Sequence, residues 1–175
     1  MKKITAMYSI TVGIINILYW AILIVTANVP DLDANIISFG FHWTSEFLMA
    51  GLLIIAGYLI LSNNSLSQRG YYFATGMLII AIVGAVLFAI INSDFILLPM
   101  GIIITISAAI LAIKNYEEKR DFYYFTMGNI IYAALNVFGN TLQNMDSASF
   151  TYLLIAFIFA MILVLHSFKS EPKFE

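Results

Sequence analysis

Six blocks of mainly apolar residues, each about twenty long and separated by short polar connections, limit this chain more than any other feature. They cover roughly residues 5–26, 41–61, 71–91, 95–113, 122–139 and 150–167. A helix needs about 20 such residues, at 1.5 Å rise each, to cross a bilayer. Inside hydrocarbon every backbone N–H and C=O must be satisfied within the protein, which leaves helices or closed barrels. The blocks lack the ten-residue alternation of barrel strands, so they read as helices. Composition agrees, because only 10% of the 175 residues are charged and 62% are hydrophobic, with a mean hydropathy of +0.94, whereas a soluble domain carries roughly 25% charged residues. The expected fold is an all-α transmembrane bundle of six helices, a single domain over residues 1–175, with the lipid bilayer as its main partner.

The direction of the spans follows from the basic residues, which are retained on the cytoplasmic side. Lys2 and Lys3 precede the first span, and Arg69 lies between the second and third. Lys114, Lys119 and Arg120 lie between the fourth and fifth, and Lys169 and Lys173 follow the sixth. All eight fall on one side, an outcome that independent placement would give about once in a hundred trials. Both termini are therefore expected in the cytoplasm, in the plasma membrane of a prokaryotic cell. The opposite connections hold Asp31, Asp33, Asp94 and Asp146 and no base. A cleaved signal peptide is the competing reading of the N-terminus, since Met1-Lys2-Lys3 resembles an n-region and Val25-Thr26-Ala27 would suit a peptidase. The apolar stretch exceeds the usual h-region, and Asn16, Tyr19 and Trp20 are foreign to one.

The odd-numbered spans align on a glycine as Tyr8-x4-Gly13, Tyr71-x4-Gly76 and Tyr123-x4-Gly128, with Thr11, Thr75 and Thr126 one or two places earlier. Each interval between glycines holds two spans, which suggests three parallel helical hairpins. An interfacial tyrosine followed by a small packing residue would also produce this pattern without any repeat. Small residues four apart mark close helix packing: Ala81, Ala85 and Ala89 in the third span, Gly101, Thr105 and Ala109 in the fourth, Ala156 and Ala160 in the sixth. They read as packing seams, with a homo-oligomer or a membrane partner subunit as the other use. Tyr19, Trp20, Phe41, Trp43 and Phe95 on one side, and Tyr71, Tyr72, Tyr116, Phe122, Tyr123 and Tyr124 on the other, read as interfacial anchors.

Chemistry is expected at Glu46, the one acid inside a span. A carboxylate in hydrocarbon costs on the order of 2 to 3 kcal/mol, so such residues face a partner or a water-filled cavity. His42 stands one turn earlier on the same face, and the outward course of the first and fifth spans brings Asn16, Asn136 and Asn140 toward the same region. Glu46, His42, Asn136, Asn140 and Asn16 are thus the candidate ligand or proton site, an outward-facing pocket for a small polar solute or an ion. The rival reading makes Glu46 and His42 a polar helix start and the asparagines interhelical glue. The first exterior loop, residues 27–40, reads either as a cover for such a pocket or as a connector with a short interfacial turn.

Other chemistries lack their parts. There are no cysteines, and the two histidines fall near opposite membrane faces and cannot share an ion. Asp31-Leu32-Asp33-Ala34-Asn35 begins like a calcium loop, yet Ile36 stands where glycine is required and His42 where glutamate is. No nucleophile elbow or Walker loop is present. No metal, cofactor, nucleic acid or enzymatic reaction is expected.

The segment Phe41-His42-Trp43-Thr44-Ser45-Glu46-Phe47, running into Gly51 to Gly57, resembles a helix of small prokaryotic multi-pass membrane proteins whose activity is uncharacterised. Three helix pairs in one short chain are similar in architecture to the HdeD-type acid-resistance membrane proteins, which implies a scaffold or stress-response role through helix association. The length and span number also resemble the substrate-binding subunits of energy-coupling-factor vitamin transporters, which implies an exterior pocket under a loop. Those subunits dock their partner through an Ala-x3-Ala seam that the first span here does not contain.

Overall fold

The computed structural model describes residues 2–26, 36–91, 97–116 and 119–143. Among them are five α-helices and no strand: α1 (Lys2–Val25), α2 (Ile36–Leu61), α3 (Ser67–Ile91), α4 (Leu97–Asn115) and α5 (Lys119–Gln143). α1, α2 and α3 are long and apolar enough to cross a membrane, and α4 contains a shorter apolar stretch, Gly101–Asn115. The sixth expected span, residues 150–167, lies outside the described residues.

Local chemistry accounts for the one described turn between helices. α2 ends where Asn63 adopts a left-handed φ of 52°, a conformation that asparagine tolerates better than most residues. The Asn63 and Asn64 amides then donate to the Ile60 and Leu59 carbonyls at 3.3 and 3.0 Å, which satisfies groups that the end of a helix leaves open. The Asn64 side chain accepts from the Leu66 amide at 2.9 Å and leads the chain into α3.

Residue pairings give the helix directions. Asn16 meets Glu46 while Ala6 meets Gly57, and Tyr8 meets Ile104 while Thr5 meets Asn115, so α1 runs antiparallel to α2 and α4. Glu46 meets Tyr132 while His42 meets Asn136, which sets α2 antiparallel to α5. Gln68 bonds Asp121 at the starts of α3 and α5, and Gly76 meets Phe125 further along, so these two run parallel. α2, α3 and α5 pack mutually, with α1 against α2 and α4 against α3.

Glycine sets the closest approaches. A Cβ on Gly13 would stand 2.7 Å from the Ala50 carbonyl oxygen, and one on Gly57 would stand 2.7 Å from that of Ala6. Ala-x6-Gly in α1 thus meets Ala-x6-Gly in α2 head to tail. On the α3–α5 crossing, a Cβ on Gly76 would overlap the Phe125 carbonyl and one on Gly128 the Phe73 carbonyl. The aligned motifs Tyr71-Tyr72-Phe73-x2-Gly76 and Tyr123-Tyr124-Phe125-x2-Gly128 therefore face each other, whereas Gly13, the third member of the alignment, seats α2.

Three expectations change. Residues 36–39, read as part of the loop, form the first turn of α2, where Phe39 packs on Trp43 with ring centroids 6.1 Å apart. Tyr71, Tyr72 and Tyr124 are not interfacial anchors but core, at 3%, 2% and 0% exposed, because the glycine crossing draws the start of α3 against α5. In α4 the buried stripe is Ala108 and Ala112, one position removed from the expected Thr105 and Ala109, although Gly101 does pack on Val86.

Gly128→Ala should lower stability in mild detergent by about 1–3 kcal/mol, since the Phe73 backbone cannot swing aside like a flexible side chain. Gly51→Ala, with nothing within 4 Å of its added methyl, should be neutral or stabilising by up to about 1 kcal/mol. Thermal unfolding of both variants checks the pair, and equal losses would contradict the crossing.

Candidate functional site

Glu46 lies ten residues into α2, about 15 Å from its start, because the helix begins earlier than its apolar block suggests. It is 8% exposed. Asn16 Nδ2 donates to Oε2 at 2.8 Å, and Trp20 Nε1 donates to the same oxygen at a longer 3.4 Å. The Tyr132 hydroxyl donates to Oε1. Three neutral donors from α1 and α5 therefore converge on one carboxylate from α2.

A second set of bonds lies one turn away. Asn136 Nδ2 donates to Ser45 Oγ and to the Tyr132 carbonyl, each at 3.0 Å, and Ser45 Oγ donates to the His42 carbonyl at 2.7 Å. With both amide hydrogens used, Asn136 presents Oδ1 to His42 Nδ1 at 2.8 Å. That nitrogen must carry the proton, so in a neutral imidazole Nε2 is the acceptor. Further along, the Ser38 hydroxyl donates to Asn140 Oδ1.

Aromatic rings surround these groups. The Trp20 ring meets His42 edge-on at 5.3 Å and Trp43 at 6.3 Å, and Tyr19 meets Trp20 at 5.7 Å. Trp43 Nε1 is buried with no hydrogen-bond partner among the described residues, a placement that costs about 1–3 kcal/mol unless something outside them accepts its proton. The six described lysines and arginines stand at the start of α1, at the start of α3, at the end of α4 and at the start of α5. Alternating helix directions bring all four of these helix ends together, at the end of the bundle away from Glu46. Among the described residues the carboxylate has no cationic partner.

All five expected residues thus fall on α1, α2 and α5 in one region, with Asn16 on Glu46, Asn136 on His42, and Asn140 one turn further out. Trp20, Tyr132 and Ser45 were missed as site residues. The signal for two of them was spacing, since Trp20 follows Asn16 by four residues and Tyr132 precedes Asn136 by four, so each shares a helix face with a residue already singled out. Two cavities formed by described residues lie elsewhere, and Glu46 lines neither: a polar one of about 130 Å³ beside Lys2 and Asn115, and an apolar groove of about 320 Å³ between α3, α4 and α5.

The chain has only two tryptophans, both in this cluster, so its tryptophan emission reports on the site alone. Glu46→Leu removes the acceptor of the Trp20 indole and should shift the emission maximum, with stability lowered by about 1–3 kcal/mol for each donor left unpaired. An unchanged spectrum in a folded Glu46→Leu protein would contradict the geometry.

No curated protein and no solved structure matches the chain. The family model of a domain of unknown function, DUF8058, matches residues 1–113, which takes in Glu46, His42, Asn16 and Trp20 but leaves Tyr132, Asn136 and Asn140 in the part beyond it. That match spans more than half of the 175 residues, and the chain belongs to the DUF8058 family.

Proposed function

We propose that this protein is a six-span membrane protein with both termini in the cytoplasm, and that it binds a small cation from the exterior at Glu46. The observation that carries the reading is a buried carboxylate whose described partners are all neutral. A charge removed from water is ordinarily paired, and neutral donors offset only part of its desolvation. A carboxylate accepts about four hydrogen bonds, and three are filled, which leaves one direction for an ammonium, a guanidinium or a metal ion. Trp20 and Trp43 suit an organic cation, since indole faces attract positive charge by about 0.5–2 kcal/mol each. The bases grouped at the opposite end support the orientation through the positive-inside rule.

A second reading has its own support. Three donors already stabilise Glu46, and the paired glycine contacts would serve a rigid scaffold acting through helix association. In that case the cluster locks α1, α2 and α5 together and binds nothing.

Titration of the purified protein with guanidinium, tetramethylammonium and sodium, read by tryptophan emission, separates the two. Saturable changes with at least one cation, lost in a folded Glu46→Gln variant, are expected for the binding site. No saturable change with any of them, together with a Glu46→Gln effect on stability alone, would favour the scaffold.

The absence of cysteine makes topology directly testable. Single cysteines at Leu32 and Met145 should react with an impermeant maleimide added to intact cells, and those at Ser65 and Glu118 should not. The reverse pattern would overturn the orientation.

A further inference from the structure

The parallel helices α3 and α5 meet as equivalents. Gly76 of α3 stands at the Phe125 carbonyl and Gly128 of α5 at the Phe73 carbonyl, so each helix receives the other's glycine three residues before its own. An approximate two-fold axis therefore runs between them. α4 packs on α3 to one side of this axis, and among the described residues no helix takes the matching place on α5, whose extensive contacts are with α2 and α3. We propose that residues 149–167 fill that place, as a helix packed on α5 in the way that α4 packs on α3. The proposal rests on the six-span part of the reading above and adds the position of the last span.

The face of α3 that carries α4 is marked by Tyr72, Ile82 and Val86, which stand four residues before Gly76 and six and ten after it. Tyr72 donates to the Ala112 carbonyl at 2.8 Å, and a Cβ on Gly101 would stand 2.7 Å from Val86 and 3.4 Å from Ile82. The same positions around Gly128 are Tyr124, Ala134 and Phe138. Equal offsets from the crossing give equal directions around a helix, so these three mark the matching face of α5. It lies on the other side of the helix from Tyr132 and Asn136, which reach α2. Tyr124 and Phe138 are 0% and 5% exposed, against 60% and 63% for Ile130 and Val137, which separates this packed face from the one turned to lipid.

The sequence names the occupant, because the step that relates α3 to α5 continues into the next span. Tyr71-Tyr72-Phe73 and Tyr123-Tyr124-Phe125 are 52 residues apart, and the same step takes Asn92-Ser93-Asp94 to Asn144-Met145-Asp146 and the buried Ala108 to Ala160. It takes α4 to residues 149–167, one residue from the apolar block at 150–167. Side-chain volumes agree with the pairing. Gly101 against Ile82 becomes Leu153 against Ala134, with large and small exchanged, and such swaps keep a contact filled. A lipid chain or a second copy gives no reason for this register. In this position the sixth span backs the helix that presents Tyr132 to Glu46.

Paired cysteines test the position in the full chain in detergent, since it has none of its own. Leu153→Cys with Ala134→Cys should lose both thiols to mild oxidation roughly tenfold faster or more than Leu153→Cys with Ala133→Cys, because a disulfide forms only between closely placed Cβ atoms. Ala133 is the exposed neighbour at nearly the same depth. A maleimide gel shift counts the remaining thiols, and Ile82→Cys with Gly101→Cys reports the α3–α4 contact as a control. Equal rates at the two α5 positions, or disulfides between chains instead of within one, would overturn the proposal. Packing supplies a second measurement. Ala134→Ile should lower the melting temperature, and adding Leu153→Ala should restore part of the loss, whereas additive losses would speak against the contact. Ser170→Cys separates the two readings in intact cells. Its protection from an impermeant maleimide, with no cross-link to Ala134→Cys, would keep the six spans and remove this packing alone, and its labelling would remove both.

Discussion

Close contact between helix backbones at glycine is the constraint on which the rest of this structure rests. In lipid, apolar burial gives helices no reason to associate, so van der Waals contact at small residues must supply one. Gly13 and Gly57 bring α1 onto α2, and Gly76 and Gly128 bring α3 onto α5. Each contact fixes a register as well as a distance. With Gly13 against Ala50, Asn16 arrives opposite Glu46 one turn later. With Gly139 against Phe41, Asn136 arrives opposite His42. A larger residue at these points would push apart helices whose polar groups need hydrogen-bond distances of about 3 Å.

The two ends of the bundle are chemically unlike. At one end, a carboxylate, an imidazole and two indoles form a cluster in which the described donors to the acid are neutral. The other end holds the six described basic residues and a polar cavity without a carboxylate in its wall. The separation follows from alternating helix directions, because residues on successive connections fall on opposite sides. It leaves Glu46 without a described counter-charge, the observation on which the proposed cation site rests.

Glycine alignment in the sequence carried more than repeat symmetry. Gly76 and Gly128 occupy equivalent places because they contact each other's helices, Gly76 at Phe125 and Gly128 at Phe73. Gly13 fits the same alignment and serves another partner. The tyrosines show the same limit from the other direction. Tyr71 and Tyr124 sit where interfacial tyrosines belong by position along the helix, yet the α3–α5 crossing removes them from the surface.

The sequence by itself determined that the described apolar blocks are helical, since in lipid only helices or closed barrels satisfy the backbone and these blocks lack the alternation of barrel strands. It also determined which residues could meet at the polar cluster, because positions four apart on a helix share a face: Asn16 with Trp20, His42 with Glu46, Tyr132 with Asn136. Only the tertiary structure decided how those faces meet. Which helix supplies each donor to Glu46, that α2 begins at Ile36, that Tyr71 and Tyr124 are core, and that a polar cavity opens beside Lys2 all depend on rotation and register between helices. Those are set by contacts between residues far apart in the chain, and helix periodicity contains no information about them.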